Sequence, residues 1–167
     1  MITASNLDEI TKQLEEYSKE VENRLKNMVA GFAREVSLVA SRNTPVGNFE
    51  DMMKENSKYR GYYLQRQEDY GIPIEPGYHS GAWQYSEDTL TFQPMVFTPT
   101  EMSNDVYNEA EASYKLGDSF VIGAVGPGYG DLEAGRSSQA PQGIVAPTLA
   151  EIQAANEADL KRYYDAG

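Results

Sequence analysis

The stretch LDEITKQLEEYSKEVENRLKNMVAGFAREVSLVASRN, residues 7–43, decides the fold of this chain. Its apolar side chains recur at steps of three or four residues, which is the spacing of one face of an α-helix. They form a stripe that comprises Leu7, Ile10, Leu14, Tyr17, Val21, Leu25, Met28, Phe32, Val36 and Val39. The spacing predicts one amphipathic helix over residues 7–43, about 55 Å long at roughly 1.5 Å per residue.

Both ends of this helix carry boundary signals. Asn6, with Glu9 three positions later, predicts an N-cap with a supporting carboxylate, and Ser5 with Asp8 is the competing register. The Thr-Pro pair at residues 44–45 predicts the end, because proline disfavours helical geometry in the residue before it.

The stripe also constrains how the helix packs. Over its whole length it is not a strict heptad, and regular charge pairs do not flank it, so an autonomous two-stranded coiled coil is the weaker interpretation. Packing on a sheet of the same chain is favoured, with the free end reaching a neighbouring subunit.

The rest of the chain is less regular. Residues 44–82 are rich in proline, glycine and polar residues, and predict a long loop with one short helix around residues 49–59. Aromatic, alternating segments then predict strands, with a turn over residues 86–88 and a polar loop or short helix over residues 99–117. The predicted strands are Trp83–Tyr85, Leu90–Phe97 and Asp118–Val125.

A last helix is predicted near Thr148, which forms a capping-box pattern with Glu151 after Pro147. The chain is thus predicted to be a single α+β domain over residues 1–167. A long N-terminal helix (1–43) packs on a small antiparallel β-sheet with long loops (83–147). A loop-rich insertion (44–82) lies between them, and a C-terminal helix (148–167) closes the domain.

Composition excludes several classes of function. The 167 residues include 26 acidic and 14 basic side chains, one histidine and no cysteine, with a net charge of −12. Without cysteine there is no disulfide scaffold, thiolate zinc site, iron–sulfur cluster or thiol nucleophile. The acidity argues against sequence-specific nucleic-acid binding, which needs clustered lysine and arginine. Neither a signal peptide nor a membrane span is visible, so a soluble protein made in a cytoplasm is expected.

The candidate chemistry is sparse. His79 could be combined with Ser80 or Ser86 and Asp88, but no nucleophile elbow accompanies them, and a turn or interface histidine is the simpler interpretation. The carboxylate pairs lack the spacing of a calcium loop, and the glycines after residue 125 lack the order of a nucleotide-binding loop. We therefore expect no catalytic, metal or cofactor site.

Residues 129–152 carry a resemblance to a known family. The matching positions are Tyr129, Glu133, Gly135, Arg136, Gln139, Ala140, Pro141, Gly143 and Pro147. Residues 129–152 resemble the neck, tail-completion and head–tail joining proteins of tailed bacteriophages of the siphophage type. The long first helix, Thr44–Pro45–Val46 and Ser80–Gly81–Ala82–Trp83 add to this resemblance. The match runs through nearly the whole chain in the same order, apart from an insertion at residues 47–79.

The resemblance implies a strand over Tyr129–Gly135, with Glu133 and Arg136 on or near a sheet edge where they could pair across a subunit boundary. It also implies a non-enzymatic virion protein of the neck or tail end. It would form a homo-oligomeric ring around a DNA channel that does not hold the DNA tightly, and would be present in the host cytoplasm during assembly. Its partners would be a connector or stopper, a terminator and the tail tube, with no membrane. Candidate interface residues are Trp83, Tyr129, Glu133, Arg136, Gln139 and Pro141.

Two alternatives remain open at this point. A tail-tube terminator or minor tail protein is the nearer one. A small carbohydrate-active or metal-dependent enzyme is the distant one, because paired carboxylates occur by chance in a chain with 26 acids.

Overall fold

A computed structural model describes residues 4–46, 53–57, 60–71, 79–92, 97–126 and 128–165. The described part is mainly helical with one small sheet, which confirms the mixed α+β class. The elements in chain order are α1 (Ala4–Asn43), α2 (Arg60–Tyr70), β1 (Gln84–Ser86), α3 (Pro99–Ser113), β2 (Val121–Gly123), α4 (Tyr129–Glu133) and α5 (Val145–Asp165).

Helix α1 confirms the prediction from the stripe and ends as expected. The Thr44 hydroxyl donates to the Ala40 carbonyl at 2.7 Å, and Thr44 accepts a hydrogen bond from Trp83 Nε1 at 3.3 Å. The predicted N-cap was wrong. Asn6 and Ser5 both lie inside the helix, which already includes Ala4, and a residue with helical neighbours on both sides cannot cap it.

Helix α1 divides into two parts with different surroundings. Every described side chain from residue 6 to residue 20 is exposed, whereas buried residues appear from Ala30 onward. We call residues 6–28 the projecting half and residues 30–43 the docked half. The docked half packs mainly on α3, and less extensively on α5 and β2. The predicted packing on a sheet is therefore corrected to packing mainly on a helix.

Helix α3 occupies the segment that was predicted as a loop or short helix. Thr98 caps it in a reciprocal box with Glu101, and Pro99 starts it at a position where no intrahelical N–H is needed. Met102, Val106 and Ala110 recur at helical spacing and are buried against α1. The many acidic residues between them lie on the other faces and concealed the apolar stripe in the sequence.

The sheet is smaller than predicted. Strands β1 and β2 pair antiparallel with Tyr85 opposite Ile122, so the predicted strand over residues 118–125 is reduced to its centre. The predicted strand Leu90–Phe97 is not seen at residues 90–92 or 97, and residues 93–96 lie outside the described part. The carbonyl of Thr91 instead accepts a hydrogen bond from the side chain of Gln84 at 2.9 Å.

The insertion contains a helix that the sequence analysis missed. Helix α2, Arg60–Tyr70, lacks a clear apolar stripe, so periodicity did not reveal it. Of the short helix predicted at residues 49–59, residues 53–57 are described. They include a turn in which the N–H of Ser57 donates to the Lys54 carbonyl at 2.9 Å; the remaining residues of the prediction lie outside the described part.

Helix α5 begins at Val145, three residues earlier than predicted. Thr148 is not its N-cap, because the Thr148 hydroxyl donates to the Ile144 carbonyl at 2.7 Å within the first turn. Glu151 does not complete a capping box and instead pairs with Arg42 at 2.6 Å, which ties α5 to the end of α1. None of the helices in the described part is long and apolar enough to cross a membrane.

The core lies where the docked half of α1 meets α3, with β1 and the start of α5 completing it. Its buried members are Ala30, Ala33, Ala40, Trp83, Tyr85, Met102, Val106, Ala110 and Ile144. Phe120 stacks on Tyr85 at 5.4 Å between ring centroids, so β2 joins the same core through an aromatic contact.

Candidate functional site

The closing segment, residues 128–148, holds most of the residues that carry the family resemblance. Its first part, Tyr129–Gly135, was predicted as a strand and is helix α4 instead. Gly128 adopts the left-handed region with φ 89°, and its carbonyl accepts the N–H groups of Asp131 and Leu132. That arrangement starts a helical turn, because the chain reverses at the glycine and does not extend along the sheet.

Glu133 joins the two ends of the closing segment. Its Oε2 accepts the backbone N–H groups of Ile144 at 2.9 Å and Val145 at 3.1 Å. These belong to the start of α5, where the helix has no internal partners for its first N–H groups and where its dipole favours a negative charge. Glu133 therefore acts as the N-terminal cap of α5 from a distant position in sequence.

The predicted placement of Glu133 and Arg136 at a sheet edge was wrong. Glu133 closes α4 and caps α5, and Arg136 pairs with Asp131 at 2.7 Å. The Arg136–Asp131 pair is exposed on both sides, so its effect on folding is small in water.

Two glycines make this compact turn possible. Gly135 has φ 70° and Gly143 has φ 77°, a conformation that costs little only for glycine. A Cβ on Gly135 would overlap the Pro141 carbonyl, and one on Gly143 would lie 2.7 Å from the Glu133 carbonyl oxygen. Glu133, Gly135, Pro141 and Gly143 thus lie close together as parts of one compact turn.

Tyr129 links the closing segment to the loop that precedes β1. Its hydroxyl donates to the His79 carbonyl, and its ring meets His79 edge-on at 4.9 Å and Trp83 at 6.4 Å. Trp83 is buried and donates to Thr44 at the end of α1. His79 therefore lies at an aromatic junction. Ser86 lies elsewhere, in the turn after β1, where its hydroxyl donates to the Thr89 carbonyl.

The six candidate interface residues fall into two environments. Trp83 is buried in the core of this chain and presents little surface to a partner, and Tyr129 is half-buried at the aromatic junction. The side chains of Glu133, Arg136, Gln139 and Pro141 are exposed on the closing segment. The structure thus places these four on one compact turn and separates them from the core position of Trp83.

A shallow groove beside α3 contains a carboxyl with a raised pKa. It is lined by Gly81, Trp83, Phe97, Asp105 and Glu109, among others. Partial burial, and then the negative charge of Asp105, raise the pKa of Glu109. Across the described part of the chain, no group of three His, Asp or Glu side chains is placed to hold a metal ion.

A long exposed apolar surface lies on the projecting half of α1. We call it the projecting stripe and define it as Leu7, Ile10, Leu14, Tyr17, Val21, Leu25 and Met28. Leu14, Tyr17 and Met28 expose 63%, 65% and 69% of their surface, respectively, whereas Val21 and Leu25 are half-buried. Such contiguous apolar surface is typical of interaction sites. The stripe was visible in the sequence, but its exposure was not.

Comparisons with known proteins add no family assignment. No known protein family, no curated protein and no solved structure matches this chain.

Proposed function

We propose that this chain is a non-enzymatic assembly subunit of a tailed bacteriophage. It would form an oligomeric ring in the neck or at the tail end, complete the tail and join it to the head. The observation that carries the assembly role is the projecting stripe, an apolar face on a helix that extends away from the body of its own subunit. The proposed location in the neck or at the tail end comes from the resemblance in motif order, which runs through nearly the whole chain.

The closing segment supports this proposal by what its residues do. Glu133, Gly135 and Gly143 build a rigid turn through a helix cap and two left-handed glycines. Their roles are in folding, because they fix the turn that presents the exposed residues of the closing segment. The exposed residues that this turn presents, Arg136, Gln139 and Pro141, are available for contact with a neighbouring subunit.

The charge distribution is compatible with a DNA channel that does not hold its cargo. Residues 1–50 contain 8 acidic and 6 basic side chains, so residues 51–167 contain the other 18 and 8, a net charge of −10. Negative surface repels the phosphate backbone, which favours passage over retention. Because the excess lies outside α1, the helix can make protein contacts with much less electrostatic repulsion.

The decisive experiment is made on the phage that encodes the chain. Mass spectrometry of purified particles should detect the protein at a small, fixed copy number, and cryo-EM should locate it at the neck or tail end. A nonsense mutant should accumulate DNA-filled heads and separate tails of normal length, and complementation in trans should restore infectious particles. Tails of uncontrolled length would instead favour a terminator, and absence of the protein from mature particles would overturn the proposal.

A further inference from the structure

The projecting stripe is large enough to form an interface. Five of its side chains expose between 45% and 69% of their surface. At about 200 Å² for a large side chain, and with the two half-buried members included, the face amounts to roughly 600–700 Å². Each partner in a standard protein–protein interface contributes about 800 Å². The stripe therefore approaches the size of one side of a stable interface.

The first five residues of the stripe follow a coiled-coil spacing. Leu7, Ile10, Leu14, Tyr17 and Val21 are separated by steps of three, four, three and four. This 3.5-residue repeat keeps an apolar seam facing a partner helix along its length, with a left-handed supercoil. The repeat changes to longer steps toward the docked half, where α1 packs within its own subunit instead.

The charges of the projecting half lie away from the stripe. At about 100° per residue, nine of the ten charged side chains between residues 8 and 26 lie at least roughly 100° around the helix from the centre of the stripe. They are Asp8, Glu9, Lys12, Glu15, Glu16, Lys19, Glu20, Glu22 and Lys26. The tenth, Arg24, bonds Glu20 of its own helix at 2.5 Å, and so is already paired.

The positions that border the stripe carry a single charge. Asn6, Thr11, Gln13 and Ser18 are polar and neutral, and Arg24 is paired with Glu20 of its own helix. Thr11 donates its hydroxyl to the Leu7 carbonyl at 2.9 Å, and the Gln13 amide donates to Glu9 at 3.2 Å. Covering the stripe therefore leaves these two donors satisfied, and a partner helix would meet one border charge that is already paired.

This pattern favours a second copy of the chain as the partner. A partner of opposite charge would be selected by a row of charged residues beside the seam, and the described border holds only Arg24, which is paired within its own helix. Two copies otherwise repel each other, because each carries a net charge of −10 over residues 51–167. A face with one paired border charge lets the two subunits approach with little contact between like charges.

We propose that two copies pair through their projecting stripes, with the helices antiparallel. Antiparallel pairing places the two acidic bodies at opposite ends of the helix pair. Parallel pairing would put them side by side, within reach of repulsion that extends about 8–10 Å in physiological salt. The inference goes beyond the proposed function and rests on the exposed face of α1 and the charge of residues 51–167, not on the phage resemblance. It can therefore fail while the phage assignment stands, and the reverse also holds.

Sedimentation equilibrium of the full chain tests the pairing. Wild-type protein should show a concentration-dependent monomer–dimer equilibrium in the micromolar range. Leu14→Glu places a charge within the stripe and should weaken dimerisation at least tenfold. Asn23→Glu adds the same charge on the opposite face and is the matched control, which should dimerise as the wild type does.

The emission of the single tryptophan distinguishes a loss of dimerisation from a loss of folding. Trp83 is buried in the body, so its emission reports whether the body of each variant is folded. A wild-type protein that stays monomeric up to about 100 μM, far above typical specific affinities, would overturn the proposal. An equal loss of association in both variants, with normal tryptophan emission, would also overturn it.

Distance measurements between spin labels test the orientation. The chain has no cysteine, so Glu16→Cys and Asn23→Cys each introduce one labelling site on the outer face. In an antiparallel pair that crosses near residues 14–17, the axial offset between the two labels grows by about 3 Å per residue from the crossing point, twice the helical rise. This offset adds at right angles to a distance across the pair of roughly 20–28 Å, so the separation should be about 8–10 Å longer at residue 23 than at residue 16. Equal separations at both sites would overturn the antiparallel arrangement.

Discussion

The two halves of α1 belong to one continuous helix but use different side chains. The docked half contacts α3 through small residues, and Ala33, Ser37 and Ala40 are completely buried. The projecting half carries large apolar residues, such as Leu14 and Tyr17, that stay exposed. Small side chains allow two helix backbones to approach closely, whereas large ones leave a ridge that only a matching surface can cover.

The facing helix shows the same adaptation. Ser103 and Ala110 of α3 are fully buried, and the hydroxyl of Ser103 donates to the Thr100 carbonyl at 3.0 Å. On α1, the Ser37 hydroxyl donates to the Arg34 carbonyl at 2.8 Å. Both serines therefore satisfy their hydroxyls within their own helix and act as small packing residues. At about 100° per residue, Ala33, Ser37 and Ala40 lie at least roughly 100° around the helix from the centre of the projecting stripe. Helix α3 therefore covers a face of small residues that differs from the apolar face identified by periodicity.

Hydrogen exchange should show the largest contrast between the halves. In dilute protein, amides of the projecting half open by local fraying, since an isolated helix of this length is marginal in water. Amides of the docked half open only with the core. We expect at least about a thousandfold difference in protection between the halves, as measured by mass spectrometry of peptides. Raising the protein concentration should protect the projecting half if the stripes pair, and equal protection in dilute protein would contradict the comparison.

Substitutions that enlarge one side chain should affect only the docked half. Ala33 is completely buried, so Ala33→Leu should lower the free energy of unfolding by about 2–3 kcal/mol through overpacking. Met28→Phe, which also enlarges the side chain but at a residue that is 69% exposed, should change it by less than about 0.5 kcal/mol. Urea unfolding followed by Trp83 emission measures both, and a similar effect of the two variants would contradict the division of α1.

The cap on α5 should matter next, because α5 supports the docked half. Glu133→Ala removes the acceptor for the N–H groups of Ile144 and Val145 and should cost about 1 kcal/mol in the free energy of unfolding. Asp131→Ala, which removes only the exposed pair with Arg136, should cost less than about 0.5 kcal/mol. Thermal and urea unfolding compare the two, and an equal cost would remove the capping role.

The smallest expected effect is the pH dependence that comes from α3. Hydrogen bonds from the side chain of Thr98, and then from its backbone, lower the pKa of Glu101 below its ordinary 4.5. As the pH falls, the carboxylate of Glu101 therefore binds a proton in the unfolded chain before it does so in the folded chain. The contribution of Glu101 to the free energy of unfolding is complete above pH 4.5 and is lost as the pH falls below it. Glu101→Gln should reduce the acid sensitivity of unfolding, and an unchanged slope between about pH 5 and pH 3 would exclude this contribution.

The pKa of Tyr85 in the core also depends on contacts with other parts of the chain. Burial raises the pKa of Tyr85, and the nearby Ser113 side chain partly opposes that rise. Strand β1 was predicted from its aromatic residues, but the burial that changes this hydroxyl depends on α3 and β2.

Some features could be predicted because their causes are local. The extent of α1 follows from its own periodicity, its end follows from Thr44–Pro45, and β1 follows from its aromatic residues. The capping box of Thr98 and Glu101 could also have been recognised in the sequence. It was missed because the acidic residues of the segment suggested a loop or short helix. Helix α2 was missed for another reason, since it shows no clear apolar stripe.

The candidate site depended more strongly on contacts distant in sequence. Tyr129, Glu133 and Gly143 were singled out correctly as parts of one segment, but their roles were not predictable. Glu133 binds backbone groups 11 and 12 positions away, and α4 replaces the predicted strand because Gly128 reverses the chain before it. No periodic pattern encodes either contact.

The sequence by itself determined that residues 7–43 form a helix with one apolar face, because each helical turn depends only on neighbouring residues. The tertiary structure decided which faces of that helix are covered, since burial depends on which surfaces come together. Helix α3 covers a second face, where Ala33, Ser37 and Ala40 permit close approach, and the larger side chains of the projecting stripe stay exposed on another face.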